Sequence, residues 1–155
     1  MALVFTADQD QFRDSIRRFL SDQMPTTRVR QLMQTDHAFD EQLWQQTSAQ
    51  LALTGIHLPE HLGGAGFGPV ELGIALEEMG RSLFCGPYLS SAVLSAYALL
   101  ICADAAQQER WLSDLASCAR RCILAVPESA GLWHADDIHP TATPDDAVGR
   151  LLHGH

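Results

Sequence analysis

Four glutamates lie near predicted turns and are candidates for a general acid or base: Glu60, Glu77, Glu78 and Glu128. Glu60 precedes a glycine-rich stretch, two others end an apolar helical pattern, and Glu128 follows a short apolar run. A carboxylate can exchange a proton with a substrate when its surroundings tune its pKa. Most glutamates, however, are solvated or cap a helix. We therefore expect solvated or capping roles for all four and assign no catalytic residue.

Histidines and cysteines could bind a metal, but their spacing does not favour it. Four histidines near the end of the chain are loosely spaced in a region that contains prolines, whereas zinc sites pair their ligands at tight intervals. They are His134, His139, His153 and His155. The sequence also has four cysteines and no CxxC pair. We expect no metal site, and we expect reduced thiols in a cytoplasmic protein.

The charge of the chain argues against two classes of partner. The net charge is −9, and the sequence contains no lysine. Without a basic cluster, the chain is a poor candidate for binding nucleic acid or an anionic membrane. The longest apolar run, around residues 92–103, is too short to span a bilayer, which requires about 20 residues.

A glycine-rich turn at residues 58–69 lies between two helical patterns. It contains four glycines and two prolines within twelve residues, so we expect a defined backbone conformation and not a flexible loop. Pro69 suits the first position of the helix predicted over residues 70–81. The glycines follow Leu-Pro-Glu-His and not a hydrophobic strand, which disfavours a nucleotide-binding loop.

Helical patterns surround this turn, and together they predict about six helices before residue 118. Thr6 and Gln9 have the spacing of a capping box, and Asp40 precedes the third helix as a cap. Gly55 is expected to end that helix in a left-handed turn. Residues 88–103 are apolar nearly all round, which predicts a central helix covered on every side.

Strand patterns come only after these helices. Residues 122–126 form an apolar run that predicts a buried strand, and residues 150–152 predict another short strand. We therefore expect a mainly α protein, with a helical domain over 1–120 and the start of a β-domain over 121–155. A strand that enters a turn without a return strand leaves its ladder groups unpaired. The sequence is therefore expected to be a fragment or a truncated product.

The motif Leu-Pro-Glu-x-x-Gly-Gly-x-Gly at residues 58–66, followed by a helix ending Glu-Glu-Met-Gly-Arg, resembles the amino-terminal helical domain of the acyl-CoA dehydrogenases. The similarity extends from about Phe5 to Gly154. It implies an orthogonal bundle of about six helices, then the first strands of a truncated middle β-domain. It also implies FAD, an acyl-CoA thioester substrate and an electron-transfer flavoprotein as redox partner. The family's catalytic glutamate is usually in a carboxy-terminal domain, so the resemblance provides no catalytic residue here.

The resemblance places the flavin beside residues 125–132. The family's motif there is Thr-Glu-Pro-x-x-Gly-Ser, whose threonine and backbone contact the flavin ring and whose serine lies near a phosphate. In this sequence Pro127 replaces the threonine and Leu132 replaces the serine, so a hydroxyl and an N–H are missing at the first position and a hydroxyl at the second. The cofactor residues that the resemblance implies are Leu124, Val126, Pro127, Gly131 and Leu132.

The resemblance also assigns a wall of the acyl cavity to the helix predicted over residues 88–103. The residues concerned are Tyr88, Leu89, Ser91, Ala92 and Ser95. Their small members would leave room for a bulky acyl group. The alternative is that small side chains simply permit close packing of helices.

Two functions remain open at this point. The chain is either the amino-terminal part of an FAD-dependent acyl-CoA dehydrogenase or a non-catalytic scaffold subunit that stabilises a flavin-bearing partner. In the first case it contributes walls of the cleft in which a fatty or steroid-side-chain acyl-CoA undergoes α,β-dehydrogenation. Both cases imply a homo- or hetero-oligomer with acyl-CoA dehydrogenase-like subunits, and this chain alone is expected to be inactive.

Overall fold

The computed structural model describes residues 4–125, 141–145 and 149–153, and the chain divides into two compact units, residues 1–123 and 124–155. The domain boundary predicted at residue 121 stays a prediction. The first unit is helical, which confirms the predicted mainly α class. Its helices are α1 (Ala7–Gln23), α2 (Thr26–Leu32), α3 (Glu41–Leu51), α4 (Pro69–Arg81), α5 (Ala96–Cys102) and α6 (Ala105–Ala116). No helix in these described ranges has the length and hydropathy needed to cross a bilayer.

The helix starts follow the local sequence. At α1 the Gln9 N–H donates to the Thr6 hydroxyl, and the Thr6 N–H donates to the Gln9 side chain, so the capping box is confirmed. At α3 the Asp40 carboxylate accepts the N–H of Leu43 at 2.9 Å, which confirms the predicted cap. Each such cap satisfies an N–H that the helix itself leaves free, and is worth about 1 kcal/mol.

The end of α3 differs from the prediction. The left-handed residue is Ala52, with φ of +51°, and not Gly55. Gly55 lies in a 3₁₀ turn, Leu53–Gly55, that packs against α6. A Cβ on this glycine would lie 2.8 Å from the Cβ of Ala116. Gly55 is therefore required for close approach between elements, a need that its local sequence does not reveal.

The helices bury two main apolar clusters. The larger one joins α1, α3 and α4 through Ile16, Leu20, Trp44, Ile74 and Met79. Burying one such aliphatic side chain stabilises the fold by about 1.5–3 kcal/mol. The smaller cluster joins α5 and α6 to the glycine-rich turn, through Leu58, Leu62, Ala96, Leu112 and Leu115.

The glycine-rich turn folds back onto the residues that precede it. The N–H of Gly66 donates to the Leu58 carbonyl at 2.9 Å, and the N–H of Phe67 donates to the Ile56 carbonyl at 2.9 Å. Gly66 has φ of +70°, a region that glycine enters at no steric cost. Pro69 is the first residue of α4, as predicted.

The helix predicted over residues 88–103 is continuous but has two parts. Tyr88–Ser95 is a wide π-helical segment, and α5 follows it directly. The prediction that this helix is covered on every side is wrong within the described residues. Its exposed apolar side chains, here called the outer face, are Leu89, Leu94, Tyr97 and Ile101. An apolar pattern shows that a side chain can be buried, but it does not show that a neighbour is present to bury it.

The predicted strand at 122–126 is also wrong for its described part. Residues 122–125 form neither a helix nor a strand, and Ile123 is 75% exposed. Val126 lies outside the described residues. An apolar run becomes a buried strand only when a neighbouring strand pairs with it.

The second unit contains an antiparallel hairpin. Strand β1 (Thr141–Asp145) pairs with β2 (Gly149–His153), with Thr141 opposite His153. The short strand predicted at 150–152 lies within β2 and is confirmed. The sequence did not predict β1, because its polar residues and Pro144 are typical of a loop.

Candidate functional site

The residues predicted to contact substrate all lie on the wide helical segment Tyr88–Ser95. In a π-helix each backbone hydrogen bond joins residues five apart. Such segments are rare in proteins, and those that occur are often at functional sites. Tyr88, Ser91, Ala92 and Ser95 point inward and are at most 4% exposed. Leu89 points outward and is 56% exposed. Four of the five residues are thus buried and one is exposed. A substrate role for each stays a prediction.

Tyr88 connects the wide segment to the turn before the glycine-rich loop. Its hydroxyl donates to the carbonyl oxygen of Leu53 at 2.8 Å. Burial raises the pKa of Tyr88 above its usual range, so the phenol stays neutral and keeps the proton that this bond requires. In this structure the hydroxyl serves the fold and has no capacity to ionise near neutral pH.

Of the predicted cofactor residues, the structure describes Leu124, which is 48% exposed. Val126, Pro127, Gly131 and Leu132 lie outside the described residues. A flavin ring and a pyrophosphate need hydrogen-bond donors; Leu124 offers a backbone N–H but an apolar side chain, and Pro127 lacks an N–H. A flavin-binding role for these five residues stays a prediction.

His57 lies beneath the outer face, and the sequence did not single it out. Its ring and that of Tyr97 have centroids 4.8 Å apart. Both ring nitrogens are buried and have no hydrogen-bond partner among the described residues. Burial lowers the pKa of His57, because an imidazolium would lose its hydration there. The available signal was a histidine between two apolar residues, directly before Leu58 and Pro59.

Glu78 is not the solvated or capping carboxylate that the sequence suggested, so that prediction is wrong. It is 0% exposed and accepts two hydrogen bonds from Arg17, at 3.0 and 2.6 Å, and one from Arg81, at 2.8 Å. The pKa of Glu78 lies below its usual range, mainly because of the hydrogen bond from Arg17. Its two bonds from Arg17 join α1 to α4, and its bond from Arg81 lies within α4.

The other three glutamates give no catalytic arrangement either. Glu60 is exposed, and Glu77 is 61% exposed and pairs with Arg13 at 3.1 Å. Glu128 lies outside the described residues. In the described parts of the chain, no three histidine, cysteine or acidic side chains come together as a metal site, and His134, His139 and His155 are outside those parts.

Comparisons with known proteins agree with this architecture. The family model of the acyl-CoA dehydrogenase amino-terminal domain matches residues 6–119. Acyl-CoA dehydrogenase IpdE2 of Mycobacterium tuberculosis is 30% identical over 96 residues, which are 62% of this chain and 30% of the relative. The chain therefore spans about a third of the length of that curated relative.

Two solved structures are similar over nearly the whole chain. The ChsE4–ChsE5 complex from Mycobacterium tuberculosis has a TM-score of 0.81 at 25% identity, covering 99% of this chain and 40% of that chain. A variant of the Tcur3481–Tcur3483 steroid ACAD has a TM-score of 0.77 at 28% identity, covering 95% and 39%. The helical fold, the glycine-rich turn and the family model agree, and the chain belongs to the acyl-CoA dehydrogenase family.

Proposed function

We propose that this chain forms the helical amino-terminal part of an FAD-dependent acyl-CoA dehydrogenase and supplies a wall of the acyl-CoA/flavin cleft. The observation that carries the proposal is the outer face, where Leu89, Leu94, Tyr97 and Ile101 are exposed along one helix. Exposed apolar surface of this kind is typical of interfaces and ligand-binding grooves. A fatty or steroid-side-chain acyl group is an apolar ligand that would cover the outer face.

The steroid option is supported by a relative. One solved structure similar to this chain is a variant of the Tcur3481–Tcur3483 steroid ACAD. Another is a complex of two different subunits. We therefore place the chain in a hetero-oligomer with a second acyl-CoA dehydrogenase-like subunit, with an electron-transfer flavoprotein as the acceptor of its electrons.

The described residues contribute binding and not proton transfer. Glu77 pairs with Arg13, and Glu78 pairs with Arg17 and Arg81. The proposal places the base that removes the α-proton elsewhere in the assembly. FAD supplies the redox step when it is bound. The residues of this chain would exclude water from the acyl group, which strengthens the polarisation of the thioester carbonyl by its hydrogen-bond donors.

A scaffold role is the second candidate, and a sequence observation favours it. Pro127 and Leu132 stand where the family has hydroxyl donors to the flavin. A subunit without those donors can still stabilise a partner that binds FAD. In that case the outer face would contact protein and not an acyl group.

The test compares two substitutions in the complex purified through a tag on this chain. Leu89→Asp places a charge on the outer face, whereas Met33→Asp places one on an apolar side chain that is 70% exposed just after α2. The flavin spectrum of each complex is recorded anaerobically during titration with octanoyl-CoA and with a steroid-side-chain CoA thioester, and kcat/KM is measured with an artificial electron acceptor that reoxidises the flavin. We expect bleaching in the wild type and in Met33→Asp, and at least a tenfold loss of kcat/KM in Leu89→Asp.

Three outcomes contradict the cleft-wall proposal. A wild-type complex without flavin absorbance removes the enzyme assignment. Unchanged kcat/KM in Leu89→Asp removes the outer face from the substrate site. Loss of the partner subunit from Leu89→Asp, with normal kinetics in the fraction that stays assembled, supports the scaffold role instead.

A further inference from the structure

The chain reverses direction after α6 and returns to the wide helical segment. Cys118 has φ of +60°, which is uncommon for a residue with a Cβ. The N–H of Arg120 then donates to the carbonyl of Asp114 at 3.1 Å. These two features bring Cys122 beside Ser91, which lies 31 residues earlier in the sequence.

Ser91 holds the returning segment by a single side-chain bond. Its hydroxyl oxygen accepts the backbone N–H of Cys122 at 3.1 Å, and Ser91 itself is 1% exposed. The side chain of Cys122 packs against the smaller apolar cluster. Immediately beyond it, Ile123 and Leu124 are exposed. The bond therefore lies where the chain leaves the helical unit.

Ser91 differs from the other two serines on the same segment. Ser90 donates to the Pro87 carbonyl at 3.3 Å, and Ser95 donates to the Ser90 carbonyl at 2.8 Å. Serines in helices commonly bond in this way to carbonyls of their own helix. The oxygen of Ser91 instead accepts a bond from a distant part of the chain.

We propose that Ser91 is a positioning residue that fixes the point at which the chain departs from the helical unit. Residues 121–125 form neither a helix nor a strand, so no regular secondary structure holds the backbone of Cys122. The side chain of the neighbouring Arg121 is held separately, because it donates to Glu41 and lies over the ring of Phe39. The consequence for catalysis rests on the proposed function and on the predicted contact of Leu124, two residues further along, with the flavin. Ser91 then acts on the cofactor through the backbone and not by contact.

The proposal is tested first by hydrogen exchange in the whole chain, with Ser91→Ala compared against Ser90→Ala. Both variants remove one hydroxyl from the same segment. We expect amide exchange of Cys122 to be about three- to tenfold faster in Ser91→Ala and unchanged in Ser90→Ala. Amides of the core residues Ile16 and Leu20 serve as the internal reference, because general destabilisation would accelerate them as well.

Trypsin gives a second measurement on the same samples. It cleaves after Arg121, which is exposed and immediately precedes Cys122. Release of the returning segment should accelerate that cleavage by a similar factor in Ser91→Ala. Equal exchange and equal cleavage in the two variants would overturn the proposal, as would acceleration that is no greater at Cys122 than at the core amides.

Flavin retention separates this inference from the proposed function. In the flavin-bearing complex, Ser91→Ala should release flavin faster during dialysis than Ser90→Ala, as measured by flavin fluorescence in the dialysate. A wild-type complex without flavin refutes the proposed function, whereas the exchange experiment still decides whether Ser91 positions Cys122. Wild-type flavin retention in Ser91→Ala would refute its influence on the cofactor.

Discussion

Replacement of Glu78 by glutamine tests whether the buried ion pair between α1 and α4 stabilises the fold. The Glu78 carboxylate is fully covered and accepts three hydrogen bonds, two from Arg17 and one from Arg81. Glutamine keeps the shape but removes the negative charge. It also turns one acceptor into an N–H donor that faces a guanidinium. At least one charged hydrogen bond is therefore lost and replaced by repulsion between donors.

The size of the effect follows from the exposure of the partners. Removing one member of a fully buried pair costs about 3–5 kcal/mol, and an exposed pair contributes about 0–1 kcal/mol. The side chains of Arg17 and Arg81 are 44% and 47% exposed, so water screens them although Glu78 is covered. We expect a loss of about 2 kcal/mol in the free energy of unfolding. For a chain of this size that corresponds to a fall in Tm of about 4–8 °C.

Thermal and urea unfolding followed by circular dichroism would measure this loss, with Glu77→Gln as the matched control. Glu77 is the neighbouring residue, is 61% exposed and pairs with Arg13. Its substitution should change the free energy of unfolding by less than about 0.5 kcal/mol. Equal effects of the two substitutions at neutral pH would refute the assignment of a stabilising role to the buried carboxylate.

The same pair of variants has a pH signature. The folded-state pKa of Glu78 lies below its ordinary value of 4.5, so as the pH falls the unfolded chain takes up this proton first. The stability contributed by Glu78 is thus complete above pH 4.5 and is lost as the pH falls through the folded pKa. Glu77→Gln should keep this loss, and Glu78→Gln should lack it. Parallel stability curves for the two variants below that pH would contradict the argument.

Two further substitutions test the surroundings of the glycine-rich turn. Because burial lowers the pKa of His57 below its ordinary value of 6.5, the unfolded chain binds this proton more readily, and stability should decrease as the pH falls below 6.5. His57→Phe should remove that part of the pH dependence from urea midpoints. Gly64→Ala would place a Cβ 2.0 Å from the carbonyl oxygen of Leu58 and should cost about 3 kcal/mol in the free energy of unfolding.

A specific result would contradict each of these two predictions. A urea midpoint that depends on pH equally in His57→Phe and in the wild type would show that the imidazole is not the responsible group. The control for Gly64→Ala is Gly73→Ala in α4, where the new Cβ would meet no atom within 4 Å beyond its chain neighbours and the backbone of its own helix. Alanine should be neutral or slightly stabilising there. If both alanines are tolerated, the turn is not as tightly closed as the structure indicates.

Features set by adjacent residues could be predicted from the sequence. The capping box of Thr6 and Gln9, the cap at Asp40 and the placement of Pro69 each depend on hydrogen bonds or steric limits within three residues. Such local rules need no knowledge of the tertiary fold. The bundle of about six helices could be predicted by combining these capping and proline signals with the periodicity of apolar residues.

Features set by distant residues could not be predicted. Glu78 is buried because Arg17, 61 residues away, lies across it. Gly55 is required because Ala116 packs on it, and Ala52 takes the left-handed position instead. The widening of the segment Tyr88–Ser95 also has no local sequence rule behind it. For Glu78 and Gly55 the deciding contact is tertiary and carries no signal in the neighbouring residues.

The outer face shows how a wrong prediction can carry functional information. The sequence of residues 88–103 is apolar nearly all round, yet the described residues cover only one side of this helix. Leaving four large apolar side chains exposed forgoes several kcal/mol of burial free energy. Selection for solubility alone would place polar residues there. The proposed function accounts for the pattern by a neighbour outside the described residues, and the comparison of Leu89→Asp with Met33→Asp distinguishes an acyl chain from a partner subunit.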